Sequence, residues 1–402
     1  MKIKLLKDAY LRTSAVKLEM KPFGVIFKGT VIEVLDETVV GTSLKGNPVW
    51  YADKRGWFIW SGAAEIIEKE VELSYMPIED TANIKYLSEK SLEWYNNHKG
   101  LNWAIIRERI VDKIWQKKDL TGRGVRVAIL DSGIDVMHPD LDPCIQAYGN
   151  FSVSNFTTKK DILGSGTRMA SIIAAQGRFK VTGVAPSAQL YVAKVMNFDH
   201  QIDPDSVISA LKWSYQLKAD IVLLGPNLHK DAFTEAQLDE LKQLVSTFSS
   251  LGTLFVSPSG NMLTEIDVPS IFKSFKDVII VGSHTFENTI QPFTYFGKEV
   301  DTFAPGDRLL CAKQQGSTGF LSGTKAAASF VTGVLALLVQ FTKSVGLNLE
   351  PAEWKKLVKE CGIAIKESNS EISSTKRIFS SEKLLQLVER KLKEKKLLNE
   401  SA

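Results

Sequence analysis

Cysteine is scarce in this chain of 402 residues, which contains only three. Cys144, Cys311 and Cys361 are widely spaced and odd in number, so neither a disulfide framework nor the paired spacing of a zinc site is expected. Free cysteine usually behaves as a small buried hydrophobe. We therefore expect three reduced thiols in a core.

An excess of one charge is also missing. Lysine and arginine number 50 against 46 aspartates and glutamates, which gives a formal net charge of +4. A chain that neutralises a row of phosphates needs a strong basic excess. Nucleic acid is therefore not an expected partner.

The sequence lacks the long hydrophobic runs that a secretion signal or a membrane-spanning helix needs. The first sixteen residues include five charged side chains, unlike a secretion signal. The apolar stretch from Val331 to Phe341 is shorter than a bilayer span. Together with the cysteines, this predicts a cytoplasmic protein without a membrane partner.

The first part of the chain predicts a small all-β domain. Residues 1–68 form short strand-like pieces separated by Gly, Pro, Asn and Asp turn signals. The segments "AYLRTS" and "GNPVWYADKRGWFIWSG" resemble a bacterial SH3-like domain. Its aromatic residues either form a stacking groove for a peptide or glycan or fill a small core: Trp50, Tyr51, Trp57, Phe58 and Trp60.

The rest of the chain changes pattern three times. Residues 69–119 show helical spacing and predict a helical linker of two amphipathic helices. Residues 120–345 alternate buried strands with helices, which predicts a three-layer α/β domain with a mostly parallel sheet. Residues 346–402 predict C-terminal amphipathic helices with a solvated charged face.

Five motifs in this α/β region resemble the subtilisin family of serine peptidases, over roughly residues 122–341. In order along the chain they are "VAILDSGIDVMHPDL", "DILGSGTRMASIIAA", "GVAPSAQLYVAKV", "VSPSGN" and "DTFAPG" followed by "SGTKAAASFVTGVLALL". The resemblance implies the family's fold. It also implies that Asp131 stands at the position of the catalytic aspartate and Asn261 at that of the oxyanion-hole asparagine.

Two residues depart from the family pattern at the positions that carry the chemistry. Ser165 stands where the family has the general-base histidine, and Lys325 stands where it has the nucleophilic serine. An aspartate without its histidine has no imidazole to orient. The oxyanion hole and the binding groove that remain would accelerate hydrolysis by at most about 10³-fold over water, far less than a working peptidase does.

Four other side chains could be considered as replacements for the missing histidine and serine, but none lies at the required spacing: Ser322, Ser329, His138 and His284. A Ser–Lys dyad, with Ser165 as nucleophile and Lys325 as base, is the rival reading. The family fold places Asn261 opposite Lys325, so an oxyanion formed at Ser165 would lie several ångströms from its donor.

A structural role explains both substitutions. A buried, unpaired carboxylate at Asp131 would be costly, so we expect Lys325 to supply the neutralising charge and Ser165 a hydrogen bond. Asn261 is then either an unused oxyanion donor or a turn residue that satisfies nearby backbone. In "LLGPN", Pro226 removes a backbone donor from an edge that pairs with substrate in the family.

The sequence therefore predicts a catalytically inactive subtilisin-like scaffold that binds a peptide or protein partner, without cofactor or metal. Asp140, Asp142 and Asp161 lack the spacing of a calcium loop and are expected to be helix caps or surface acids. Two alternatives stay open: an endopeptidase working through Ser165 and Lys325, and an interaction protein that works through its aromatic barrel. The oligomeric state is not specified by the sequence.

Overall fold

The computed structural model describes residues 100–153, 161–197, 199–261, 270–295, 297–364 and 377–400, and the backbone of seven strands before them. It separates into two compact units. One comprises Met1–Glu79 with Phe198–Gln201, and the other comprises Asp80–Asn197 with Ile202–Ala402.

The N-terminal unit is built from antiparallel strands. Its five-stranded sheet has the order β6-β5-β4-β1-β7, and β2 pairs with β3. The strands are β1 (Lys2–Leu5), β2 (Ala9–Leu11), β3 (Gly24–Ile26), β4 (Val31–Leu44), β5 (Asn47–Asp53), β6 (Phe58–Trp60) and β7 (Ala64–Glu68). The predicted SH3-like closure and aromatic groove depend on side chains outside the described residues and stay predictions.

A nine-stranded sheet forms the centre of the second unit, in the order β17-β18-β14-β13-β12-β11-β8-β10-β9. Every neighbouring pair is parallel except β17 and β18. The strands are β8 (Arg126–Asp131), β9 (Ile145–Asn150), β10 (Gln189–Lys194), β11 (Ile221–Leu224), β12 (Leu254–Pro258), β13 (Val278–His284), β14 (Thr302–Pro305), β17 (Ile363–Ala364) and β18 (Arg377–Ile378). A separate hairpin joins β15 (Leu309–Ala312) to β16 (Thr318–Leu321).

Helices cover both faces of this sheet. They are α1 (Trp103–Arg107), α2 (Gln116–Lys118), α3 (Ser165–Ala174), α4 (Pro204–Gln216), α5 (Glu235–Ser250), α6 (Thr324–Ser344), α7 (Pro351–Glu360) and α8 (Ser381–Glu400). Alternate residues of β8 enter two apolar cores: Val127 and Ile129 pack on the side of α3 and α6, Ala128 and Leu130 on the side of α4 and α5. The expected three-layer α/β fold with a mostly parallel sheet is confirmed.

Helix α6 is the central core helix. Its 21 residues are long and apolar enough to cross a membrane, which the stretch from Val331 to Phe341 alone did not suggest. Most of them are buried, and they pack against α3 and the sheet. A continuous apolar surface is what a helix enclosed on all sides requires.

Residues 100–118, assigned to the linker by the sequence analysis, contribute to the same core. Leu101, Ile105 and Ile114 are fully buried, and a π-helical turn spans Ile110–Trp115. The side-chain amide of Asn102 donates to the carbonyl of Leu310. Residues 69–99 of the predicted linker lie outside the described residues.

Candidate functional site

Three chain segments meet at one edge of the parallel sheet. Strand β8 ends at Asp131, α3 begins at Ser165, and α6 begins at Thr324. The carboxyl ends of parallel strands share one edge, and ligand sites of such sheets lie there. The candidate site is therefore the group formed by Asp131, Ser165 and Lys325.

The structure brings these three side chains into direct contact, as the structural interpretation of the sequence requires. The Lys325 Nζ lies 2.7 Å from Asp131 Oδ2 and 2.8 Å from Ser165 Oγ. The Asp131 side chain is completely buried, whereas that of Lys325 is 26% exposed. Lys325 thus closes the site from the solvent side.

The ionised form of Asp131 is maintained against its burial. Burial by itself raises the pKa of this carboxyl group, but the nearby charge of Lys325 lowers it. Hydrogen bonds from Lys325, Ser165 and the backbone of Ser132 lower it further. The net result is a pKa of Asp131 below its ordinary value, so the group is a carboxylate at neutral pH.

A second carboxylate fixes the start of α3. Asp161 accepts hydrogen bonds from the backbone N–H groups of Gly164 and Thr167, and from the hydroxyls of Ser132 and Thr167. The Ser132 Oγ in turn accepts from the N–H of Gly166. These bonds satisfy donors that a helix N-terminus leaves open, as expected of a capping acid.

Lys194 is a charged residue of this region that the sequence analysis did not identify. It ends β10 and is almost completely buried, and its Nζ donates to the carbonyl of Ser132 at 2.6 Å. Burial lowers its pKa, and the charges of Asp161 and Asp131 oppose that shift. The sequence signal that could have identified it is a lysine within the otherwise apolar strand segment "YVAKV".

Asn261 holds the beginning of α6. Its Oδ1 accepts from the backbone N–H and from the hydroxyl of Thr324, both at 3.0 Å. Gly323 precedes that helix with a φ of 108°, and a Cβ there would lie 2.5 Å from Asn261 Nδ2. This contact uses the amide oxygen of Asn261 and joins it to a segment 63 positions away, whereas an oxyanion donor would be its Nδ2. The oxyanion and turn interpretations of Asn261 therefore both stay predictions.

The four alternative nucleophiles and bases are engaged elsewhere. Ser329 Oγ donates to the carbonyl of Lys325, and Ser322 Oγ accepts from a backbone N–H. His138 Nε2 donates to the carbonyl of Ser317, and His284 Nδ1 donates to that of Thr285. Each of the four thus makes a contact outside the group formed by Asp131, Ser165 and Lys325, while His284 Nε2 is buried without a hydrogen-bond partner.

Asp140, one of the three acids considered as cation ligands, binds backbone N–H groups. Asp140 accepts from three consecutive N–H groups, those of Phe179, Lys180 and Val181. Within the described residues, no group of three His, Cys, Asp or Glu side chains is arranged to hold a metal ion.

Gly225, directly after β11, has no side chain, and the Asp131 carboxylate occupies the space that a Cβ would fill. A Cβ at this position would lie 2.3 Å from Asp131 Oδ2 and 2.9 Å from the carbonyl oxygen of Leu130. We expect Gly225→Ala to destabilise the fold by about 2 kcal/mol, the usual cost of overpacking. Urea denaturation measures this, with Gly319→Ala as a comparison, because φ at Gly319 is not in the left-handed range and the nearest atoms to a Cβ there belong to the flexible side chain of Lys313. An unchanged midpoint for Gly225→Ala would contradict the packing described.

Comparison with known proteins agrees with this fold. The family model described as "Subtilase family" matches residues 122–371. The chain is 30% identical over 240 residues to the major intracellular serine protease of Bacillus subtilis (strain 168), covering 57% of this chain and 72% of that protein. It is 32% identical over 250 residues to the intracellular serine protease of Paenibacillus polymyxa, covering 59% and 74%.

Among solved structures, the prenylagaramide maturation protease PagA superposes with a TM-score of 0.57 at 22% identity, covering 69% of this chain and 98% of that one. That likeness concerns the fold alone. The family match covers more than half of the chain and includes all three segments of the site. The chain belongs to the subtilase family.

Proposed function

We propose that this protein is a catalytically inactive subtilase that serves as a peptide- or protein-binding scaffold in the cytoplasm, with neither nucleic acid nor membrane as partner. One observation carries the proposal. Lys325 stands at the nucleophile position, and its ammonium group is held between Asp131 and Ser165. Among the described residues of the site, the Lys325 ammonium, the Asp131 carboxylate and the Ser165 hydroxyl are hydrogen-bonded to one another.

The second candidate is a serine endopeptidase acting through a Ser–Lys dyad. The 2.8 Å distance between Lys325 Nζ and Ser165 Oγ favours it, because a general base must lie within hydrogen-bond reach of its nucleophile. Its base must, however, be an uncharged amine. In the structure Lys325 instead lies 2.7 Å from the buried carboxylate of Asp131 in an ion pair, an interaction that an uncharged amine does not make.

Three described backbone donors next to Ser165 are already engaged and do not supply the support that acyl transfer needs. Donors must lie about 2.7 to 3.1 Å from the developing oxyanion. The N–H groups of Gly164, Gly166 and Thr167 already donate to Asp161 or Ser132. The inactive scaffold is therefore the better-supported reading.

A fluorophosphonate probe tests the proposal directly. We expect the wild-type protein to show no covalent labelling and to leave fluorescent casein uncut, while fluorescence anisotropy reports binding of that casein. An active subtilisin labelled in parallel shows that the probe is competent. Labelling of the wild type that disappears in Ser165→Ala would establish the dyad and overturn the proposal.

A further inference from the structure

Only one of the four charged side chains described at the candidate site reaches solvent. These side chains balance in sign and lie within electrostatic reach of one another: Asp131, Asp161, Lys194 and Lys325. Asp131, Asp161 and Lys194 are buried, whereas the side chain of Lys325 is partly exposed. A group that approaches the site from solvent therefore meets the ammonium of Lys325, and neither carboxylate is accessible to it.

The ammonium group of Lys325 has one N–H more than its internal partners use. A protonated lysine carries three donors. Two of them are accounted for by Asp131 Oδ2 at 2.7 Å and Ser165 Oγ at 2.8 Å. No other acceptor among the described residues contacts Nζ. The third N–H is therefore open to an acceptor that comes from outside the protein.

The side-chain amide of Asn261 supplies a second unused donor next to Lys325. Its Oδ1 accepts from the backbone N–H and the hydroxyl of Thr324, which fixes the plane of the amide. Its Nδ2 lies beside Gly323, where a Cβ would be 2.5 Å away, so the glycine leaves Nδ2 uncovered. In the part of the chain that the structure describes, nothing accepts a hydrogen bond from Nδ2.

The oxygens of the site, by contrast, are already in use. Asp131 is completely buried and accepts from Lys325 and from the backbone of Ser132. Ser165 Oγ accepts from Lys325, and Asn261 Oδ1 accepts twice from Thr324. A cationic group or a hydroxyl donor would find no free acceptor among these oxygens. The site therefore selects for a ligand group that accepts hydrogen bonds and carries negative charge.

We propose that Lys325 Nζ and Asn261 Nδ2, together called the donor pair, bind a carboxylate of a peptide partner, either its C-terminal carboxylate or an acidic side chain. This inference rests on the proposed function, because it requires that a peptide enters the site. A carboxylate offers two charged oxygens, and hydrogen bonds with charged partners are stronger than those between neutral groups. An uncharged amide carbonyl gains less from the same donors.

Fluorescence anisotropy with matched peptides tests the donor pair in the intact protein. The probes are hexapeptide mixtures, randomised over uncharged residues and labelled at the N-terminus with an uncharged fluorophore. One mixture ends in a free carboxylate, a second ends in an amide, and a third ends in an amide but contains one glutamate. We expect a carboxylate-bearing mixture to bind the wild type about tenfold more tightly than the plain amide. The mixture that does so identifies the source of the carboxylate.

Two variants identify the donors responsible. Asn261→Asp keeps an acceptor oxygen for Thr324 and replaces Nδ2 with a charged oxygen, so the preference for carboxylate should disappear. Lys325→Met combined with Asp131→Asn removes the ammonium without leaving a buried charge and should remove most of the preference. Lys343→Met is the matched control, because Lys343 lies at the opposite end of α6 and pairs with Asp220. Urea midpoints establish that each variant is folded.

The outcomes separate this proposal from the proposed function. Equal binding of all three mixtures by the wild type would overturn the donor pair and leave the peptide-binding scaffold intact. A preference that survives in both folded variants, or that is lost in Lys343→Met, would also overturn the donor pair. Binding of none of the mixtures would overturn the donor pair and count against peptide binding itself, which the casein experiment measures separately.

Discussion

Lys325→Ala is expected to lower the free energy of unfolding by about 3 kcal/mol at pH 7, a loss measurable by urea denaturation. Removing one partner of a buried ion pair leaves an uncompensated charge, which typically costs 3–5 kcal/mol. The lower end applies because Lys325 is partly exposed and because Asp131 keeps hydrogen bonds from Ser132 and Ser165.

The pH dependence of this loss has a definite sign. The pKa of Asp131 lies below its ordinary value in the folded wild type, so the ion pair stabilises the fold above about pH 4 and is lost as the pH falls through the folded value. In Lys325→Ala, the lysine no longer opposes the effect of burial on the pKa of Asp131. Protonation of Asp131 then removes the unpaired buried charge and restores part of the lost stability. The difference in stability between wild type and variant should therefore shrink on acidification.

A double variant separates charge from packing. Adding Asp131→Asn to Lys325→Ala removes the orphaned charge and should recover more than half of the lost stability, since replacing both members of a buried pair is often neutral. If the double variant is as unstable as Lys325→Ala, the loss comes from packing of the lysine stem. The electrostatic explanation of the site would then be wrong.

Much of this architecture could be predicted from local patterns. The alternation of buried strands and helices over residues 120–345 predicted the three-layer fold, because apolar runs bounded by turn signals report burial directly. The contact of Lys325 with Asp131 was also predictable, since a buried carboxylate needs a partner. Strand β9 carries no such signal, because its residues are exposed or only partly buried and lack a continuous apolar run.

Other features depend on contacts between distant segments, which periodicity does not encode. The linker pattern around Ile105 indicated an amphipathic helix but not the face of the core that it covers. The space beside Gly225 and the capping of Ser381 by Glu108 arise only when the chain is folded. Lys194 was overlooked because its strand reads as apolar, although its ammonium has a backbone acceptor.

Replacing the two departing residues should create hydrolytic activity. In the variant Ser165→His with Lys325→Ser, we expect fluorophosphonate labelling of the introduced serine at a rate at least 10³-fold above the wild type, an order-of-magnitude figure based on the cost of losing a triad. The anchors of the site do not involve the exchanged side chains. Asp161 fixes the start of α3, and Asn261 fixes that of α6.

The aspartate supplies the matched control for this gain. Adding Asp131→Asn to the active variant should reduce labelling by about 10⁴-fold, because the histidine then loses the carboxylate that orients it and stabilises its charged form. Circular dichroism and a urea midpoint establish that both proteins are folded. A folded Ser165→His, Lys325→Ser variant without labelling would show that more than two side chains separate this site from catalysis. Labelling that survives Asp131→Asn would show that Asp131 no longer occupies the orienting position, and that its partnership with Lys325 has replaced the original geometry rather than preserved it.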